Sequence, residues 1–379
     1  MLDSNNLPRM RKAIQSRTDE DSFLLKQLRE EIRPLKNASR RIAPRSTTSV
    51  SLVASDGGNN ALKFDPFYIQ LVRVVDSYGQ ELCLDAVTPT TDVDELSERQ
   101  FAEKTALGFM MEKLGVYKLY HLSTMIPDPS KQKDDTSVKP SWVLVYRDLC
   151  EWAVLFDRIV RTEFATDTLV VRDGLLRSKL FVGNLFIQMM TQLKLAIEEK
   201  SKRQRRKLYL VGFAKHSKVL TRYQLVMALE GILQEEYPTY VEVPRAIEKK
   251  AYEWPEYARG DESAEGGEIP KFVAGCMFFA KFGCRKRDPI WPVDILNSQI
   301  GDAPIIFGHL LADAIDGFPV PLYPRCLQKA HENAALVGFD MDVLQEEIFL
   351  AIRNIIDNDK QHVLDSFRFG SDLSNLRYE

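Results

Sequence analysis

Two aspartates, each followed by glycine, carry the first chemical signal. Asp56 comes after the apolar run Val50, Leu52 and Val53 and precedes Gly57 and Gly58; Asp173 closes the stretch Thr168 to Arg172 and precedes Gly174. Glycine lets the chain turn sharply and lets a ligand approach the backbone. Each carboxylate is therefore expected at the end of a strand, and two such ends point to two carboxylates meeting at one edge of a sheet. Hard oxygen ligands of this kind hold divalent ions for phosphate chemistry. Asp-Gly is also a common turn dipeptide, so a pair of plain turns is the competing reading.

A third acid, Glu151, stands inside an apolar helical stretch from Ser141 to Thr162, with Trp142, Val145, Leu149, Trp152, Phe156 and Val160 on one stripe. A buried charge needs a partner or a metal. Arg147, one turn earlier, is placed for an i,i+4 pair; a metal-facing Glu151 is the other reading, and Asp148 and Asp157 stand close by. His331, on a late helix, adds either a nitrogen ligand suited to Mn²⁺ or a proton donor to a leaving oxygen. His309 lies in an apolar run and reads as a core histidine. Lys215, His216, Lys218 and Arg222 follow the strand Lys207 to Phe213 and suit an anionic ligand.

The bulk numbers leave room for these sites without naming them. With 379 residues, 45% hydrophobic and 28% charged, the chain fits one large domain with additions, or two domains. Its net charge of -3 means that any basic surface is local. The five cysteines, Cys83, Cys150, Cys276, Cys284 and Cys326, show no CxxC spacing. A zinc site or disulfide framework is not expected, and a reducing cytoplasm is. No apolar run reaches the roughly 18 residues of a spanning helix, so no membrane is expected, and no signal peptide is read. No GxxxxGK[ST] loop is present, so the chain is not its own ATP-driven motor.

The elements that must position the acids read as follows. Met1 to Arg45 is a basic helical arm, either packed on its own core or touching DNA. Strands follow at Val50–Ala54, Phe67–Asp76 and Glu81–Val87, an antiparallel meander. A helix over Ser97–Leu114, capped by Ser97, precedes a proline-bounded loop at 127–140. After the helix bearing Glu151 come the strand to Asp173 and a long helix from about Leu176 to Lys200, which ends in Lys202, Arg203, Arg205, Arg206 and Lys207. Residues 248–270 read as a surface insertion. A strand over Phe272–Phe282, an apolar stretch over Ile300–Ile315, a helix over Arg325–Val337 and a final helix over Asp342–Asp357 complete the chain. A meander followed by alternating helix and strand is the layout of an RNase H-like α/β sheet.

Taken in order, the pieces VASDGG, RDLCEW, VVRDGLL, LVGFAKHSK and YPRCLQKAH, from about Val50 to His331, resemble the NurA family, nucleases that work with the hexameric HerA translocase. The resemblance implies an RNase H-like mixed sheet flanked by helices, with helical N- and C-terminal additions (1–45 and 341–379) around a domain at 46–340. It implies Mn²⁺-dependent cleavage of DNA, with Mg²⁺ a weaker substitute. It also implies a homodimer docked on a HerA-type ring, serving DNA end processing or defence against foreign DNA. Carried over by position, Asp56, Glu151 and Asp173 are the metal-binding carboxylates and His331 is the late histidine. Lys215 lies near the substrate phosphate, with Lys218 and Arg222 beside it as DNA contacts. Cys326 departs from the family pattern, and 248–270 has no counterpart in it. A non-catalytic assembly subunit and an RNase H-like enzyme acting on RNA are the competing functions.

Overall fold

The computed structural model describes residues 6–46, 51–64, 67–131, 141–252, 257, 271–335 and 339–356. In chain order its elements are α1 (Leu7–Glu20), α2 (Ser22–Ile32), β1 (Arg40–Arg41), β2 (Ser51–Phe64), β3 (Phe67–Asp76), β4 (Glu81–Val87), α3 (Val93–Ala102), α4 (Ala106–Lys113), α5 (Leu119–Leu122), α6 (Trp142–Arg161), β5 (Thr168–Asp173), α7 (Leu185–Gln204), β6 (Leu208–Phe213), α8 (Lys218–Glu230), β7 (Thr239–Glu242), α9 (Arg245–Ala251), β8 (Gly275–Lys281), β9 (Ile290–Leu296), α10 (Ala303–Ile315), α11 (Arg325–Ala334) and α12 (Phe339–Ile355). The mixed α/β class, with strands flanked by helices and helical elements at both ends, is the expected one. The residues fall into two compact units, Met1–Leu52 with Phe164–Lys179 and Met190–Arg325, and Val53–Glu163 with Leu180–Met189 and Cys326–Glu379.

The first unit holds a mixed sheet in the order β1-β7-β8-β9-β6-β5. β5 and β6 run parallel, and the other neighbours are antiparallel. β6 and β8 are buried along their whole length. That fits their sequences, LYLVGF and GCMFFAK, which show no polar alternation because both faces are covered. On one side Ile32 of α2 and Val219, Tyr223 and Met227 of α8 pack with Met277 and Phe279 of β8. Each such side chain contributes about 1.5–3 kcal/mol by leaving water. Ser217 caps α8 by accepting from the Leu220 N–H at 2.9 Å, and Gly231, at φ 69°, ends it.

The second unit is built on the meander β2-β3-β4. α6 buries Trp142, Tyr146, Leu149, Trp152 and Phe156, as its apolar stripe requires. Its Tyr146 hydroxyl donates to Asp85 at 2.6 Å and accepts from Gln100 at 3.0 Å. Burial, with Cys150 and Asp85 adding to it, raises the Tyr146 pKa far above the ordinary phenol value.

Three expected boundaries are corrected. β2 does not stop before Asp56: it pairs with β3 from Ser55 to Phe64, so Asp56 lies opposite Val75 within the strand and Gly57–Gly58 are extended rather than a turn. The helix expected over Ser97–Leu114 is two helices. Asp92, not Ser97, caps the first, accepting from the Asp94 and Glu95 N–H groups; Thr105 caps the second, after Lys104 turns the chain at φ 54°. Ser97 is buried and donates to the Val93 carbonyl at 2.6 Å. The long helix expected from Leu176 begins only at Leu185. Before it, Ser178 N–H donates to the Phe272 carbonyl and Ala274 N–H to the Leu176 carbonyl, so this stretch spends its backbone groups on a neighbouring segment. Of the segment expected as an insertion, 253–256 and 258–270 lie outside the described residues, and Glu248 at its start is fully buried on α9. Among the described residues no helix is long and apolar enough to cross a membrane.

Candidate functional site

In the second unit the site is built on β2. Asp56 is 8% exposed. Its Oδ1 accepts from the Gly57 N–H at 2.8 Å, and its Oδ2 lies 2.7 Å from His331 Nδ1. His331 reaches it from α11, whose Cys326, Leu327, Ala330 and Ala334 are buried; the histidine stands beside that stripe with its side chain 64% exposed. A second contact fixes α11 on the same face of the meander: Arg73 Nη1 donates to the Asn333 carbonyl at 2.6 Å. Arg73 and Val75 are two apart on β3, and Val75 pairs with Asp56. Alternation along an antiparallel pair puts all three on one face.

Glu151 approaches from the other face. Gly57, paired with Val74, points away from Asp56, and α6 covers that side, where Arg158 donates to Asp76 at 3.1 Å. A Cβ at Gly57 would lie 2.2 Å from Glu151 Oε1 and 2.9 Å from its Cδ. The glycine is thus a cradle for the Glu151 carboxylate, while Asp56 turns along the strand to take the same residue's N–H. Two carboxylates converge on one glycine from opposite sides of its strand. Arg147 serves both. Its Nε is 3.6 Å from Glu151 Oε1, its closer partner is Asp148 at 2.8 Å, and although burial opposes its charge, Glu151, Asp148 and Asp56 hold its pKa above the ordinary value. Asp157 is paired with Arg161. Asp148 and Asp157 each have an arginine as a hydrogen-bonded partner, and Glu151 lies against Gly57.

Gly57→Ala is expected to lower the melting temperature by displacing Glu151, and Glu151→Ala in the same chain to restore it, because the clash is between those two groups. Melting curves that show no such rescue would contradict the cradle. Glu151→Gln is expected to lower cleavage about 100-fold with melting little changed, since Arg147 keeps Asp148. A loss of stability with full specific activity would make Glu151 an Arg147 partner and nothing more.

In donor type this set suits a divalent first-row ion, two carboxylates and an imidazole. The empty Cβ position at Gly57 is what admits the second carboxylate. Among the described residues no three His, Cys, Asp or Glu side chains already stand as one metal-binding group.

Asp173 and the basic residues lie in the first unit. Asp173 ends β5 as expected, with Lys215 Nζ 4.0 Å from its Oδ2 and the Tyr323 hydroxyl 3.5 Å from its Oδ1. Lys215 also sits over the Tyr323 ring, 5.4 Å from its centre. Lys218 opens α8, and Arg222, one turn on, lies over the Tyr223 ring at 5.7 Å. His309 is buried, as its apolar run implies.

Sequence reasoning missed one charged group here. Arg177 donates to Asp294 at 2.7 and 2.8 Å and to Glu248 at 3.0 Å, all three buried. Asp294 also accepts from the Leu176 N–H at 3.0 Å. Burial opposes the guanidinium's charge, but Asp294 and then Glu248 outweigh it and raise the Arg177 pKa well above the usual value. An acid inside the otherwise apolar strand IWPVDIL was the signal that a buried cation must be near.

No protein-family model matches the chain, and no curated protein does. Solved structures do match it. One aligns over 92% of this chain and 98% of its own at 13% identity and a TM-score of 0.40: the NurA nuclease from Sulfolobus solfataricus. NurA bound to dAMP and manganese aligns over 96% of this chain and 100% of its own, at 13% identity and TM-score 0.40. NurA with manganese aligns over 95% and 100%, at 12% identity and TM-score 0.41. This is the family that the sequence pieces resemble.

Proposed function

We propose that the protein is a divalent-metal-dependent deoxyribonuclease, cutting phosphodiester bonds at the site around Asp56. The observation that supports this most is the buried Asp56 carboxylate bonded at 2.7 Å to a histidine that is itself largely exposed. With Nδ1–H donating to Asp56, the imidazole presents Nε2 outward as an acceptor, and the carboxylate fixes that tautomer. His331 then holds or moves a proton at a substrate oxygen or an attacking water, a contribution of about 10²–10⁴ in rate. Asp56 and Glu151 would hold the ion; His331 Nε2 serves as a further ligand only in place of its proton role. Bound there, a divalent cation such as Mn²⁺, or Mg²⁺ less well, supplies positive charge for the phosphoryl oxygens. Asp173 enters the proposal from the sequence resemblance and from its own chemistry at the end of β5.

The assignment to DNA over RNA rests on the same resemblance and is tested by offering end-labelled DNA and RNA of equal length and sequence with Mn²⁺. DNA is expected to be degraded and RNA left intact. Cleavage of RNA alone would make this an RNA enzyme, and cleavage of neither by folded protein would return it to an assembly subunit.

Working as a homodimer on a HerA-type hexameric ATPase in the cytoplasm is the remaining part of the proposal. What supports an intermolecular contact is the N-terminal arm. α1 buries none of its residues and exposes Met10 and Ile14, and Phe23 and Leu24 at the start of α2 are exposed as well. Co-elution with the ATPase should be lost when Met1 to Asp21 is deleted; a truncated chain that still dimerises and co-elutes at full strength would remove the arm from the interface.

A further inference from the structure

In the second unit, α6 sets one cation among three acids. Arg147 stands one turn before Glu151, and i,i+4 spacing puts the two on one face of the helix. Asp148 binds the guanidinium from its side: one oxygen, Oδ1, accepts from Nε at 3.2 Å and from Nη2 at 2.8 Å. Glu151 Oε1 lies 3.6 Å from Nε, an ion pair longer than a hydrogen bond. A guanidinium carries five N–H donors in a fixed planar fork. Two of them go to Asp148, and the outer end, formed by Nη1 and the second N–H of Nη2, makes no hydrogen bond among the described residues. The side chain is 22% exposed, and Nη1 is not among the enclosed polar atoms that lack a partner, so water and an incoming group reach that end.

The charges around it give an open guanidinium a use. A phosphodiester brought to Asp56 and Glu151 meets two carboxylates of its own sign. A divalent cation offsets part of that repulsion. Arg147 adds a fixed positive charge at the same place, and burial opposes that charge less than Glu151, Asp148 and Asp56 sustain it. The outer fork of a guanidinium also matches two phosphate oxygens in a bidentate pair, where an ammonium offers only a point charge.

We infer that Arg147 is a catalytic residue of this site, its Nη1 and Nη2 N–H groups donating to the two non-bridging oxygens of the phosphodiester to be cut. Asp148 is then the positioning residue that holds the guanidinium by its side fork and leaves the outer one for substrate. The inference rests on the nuclease reading for its reaction. It goes beyond that reading in naming a group of this chain that touches the phosphate. Donors aimed at a phosphoryl centre count most where charge develops, so their loss falls on kcat more than on KM.

Full-length protein and its Arg147→Gln and Arg147→Lys variants are assayed on end-labelled linear DNA over a range of Mn²⁺, with a melting curve for each. Arg147→Gln is expected to lower kcat about 100-fold and to raise KM about tenfold, and both changes should persist at saturating Mn²⁺. The Mn²⁺ concentration for half-maximal cleavage should not rise, because removing a cation beside Asp56 and Glu151 does not weaken their hold on another. A residue that merely oriented Glu151 would raise it. Arg147→Lys keeps the charge that faces Asp148 and Glu151 but not the fork, so it should fold even if the glutamine variant does not, and lower kcat about tenfold. A second readout needs no cleavage: in Ca²⁺, the anisotropy of a fluorescein-labelled single-stranded DNA of about ten nucleotides should show Arg147→Gln binding about tenfold more weakly than the unaltered chain. Folded variants that cleave at the unaltered rate, or regain it at high Mn²⁺, would overturn the inference and leave the nuclease reading intact, as would equal affinity of all three chains for the oligonucleotide. If the unaltered chain does not cleave while binding still depends on Arg147, the nuclease reading fails and the phosphate contact stands.

Discussion

Asp56→Asn should reduce DNA cleavage about 10³-fold while leaving melting within a few degrees of the unaltered chain. The asparagine keeps an oxygen to accept from the Gly57 N–H, so the local strand geometry survives. What disappears is the negative charge that orients His331 Nδ1 and that would hold a cation beside Glu151. A neutral amide can present either its oxygen or its NH₂ to the ring, so the tautomer is no longer fixed. Single-turnover cleavage and thermal melting together check this. A variant that is fully active, or one that is inactive because it no longer folds, would mean that Asp56 is a structural aspartate.

Arg177→Leu carries the largest expected cost in stability. The guanidinium and both its partners are all but completely enclosed, with side-chain exposures of 1% for Arg177 and 0% for Glu248 and Asp294. Removing it strands two carboxylates in the interior, which costs about 3–5 kcal/mol. That is a large part of the roughly 5–15 kcal/mol that holds a typical protein together. A fall of about 10 °C in melting temperature is expected. Replacing Glu248 by leucine in the same chain should recover part of the loss; Asp294 must stay, because it also holds the Leu176 N–H. If Arg177→Leu melts like the unaltered chain, the buried network is not what holds the segment before α7.

These two sites differ in how far they could be read in advance. Asp56, Glu151, Asp173 and His331 were visible as residue types in a particular order. The elements carrying Glu151, Asp173 and His331 were also visible, because α6, β5 and α11 have strong periodicity or bounding signals. The path of β2 was not. Gly57, Gly58, Asn59 and Asn60 have the composition of a turn, yet they pair with β3. Gly57 is needed because a helix nearly a hundred residues later lays Glu151 against it, a long-range cause with no local trace. The start of α7 was misread for a similar reason. Residues 175–181 have a helical apolar pattern, but hydrogen bonds to Phe272, Ala274 and Asp294 hold them out of the helix. Lys215 was expected at a substrate phosphate, and the structure places it near Asp173, a charge partner that spacing alone does not reveal.

The central claim, hydrolysis of DNA at a divalent-metal site around Asp56, has one direct measurement. Purified full-length protein is incubated with end-labelled linear DNA in Mn²⁺, in Mg²⁺ and in EDTA, and product is followed over time. Cleavage that is fastest in Mn²⁺, slower in Mg²⁺, absent in EDTA and restored when Mn²⁺ is added back is the predicted result. Cleavage that proceeds equally in EDTA, or no cleavage by folded protein in either metal, would contradict the account.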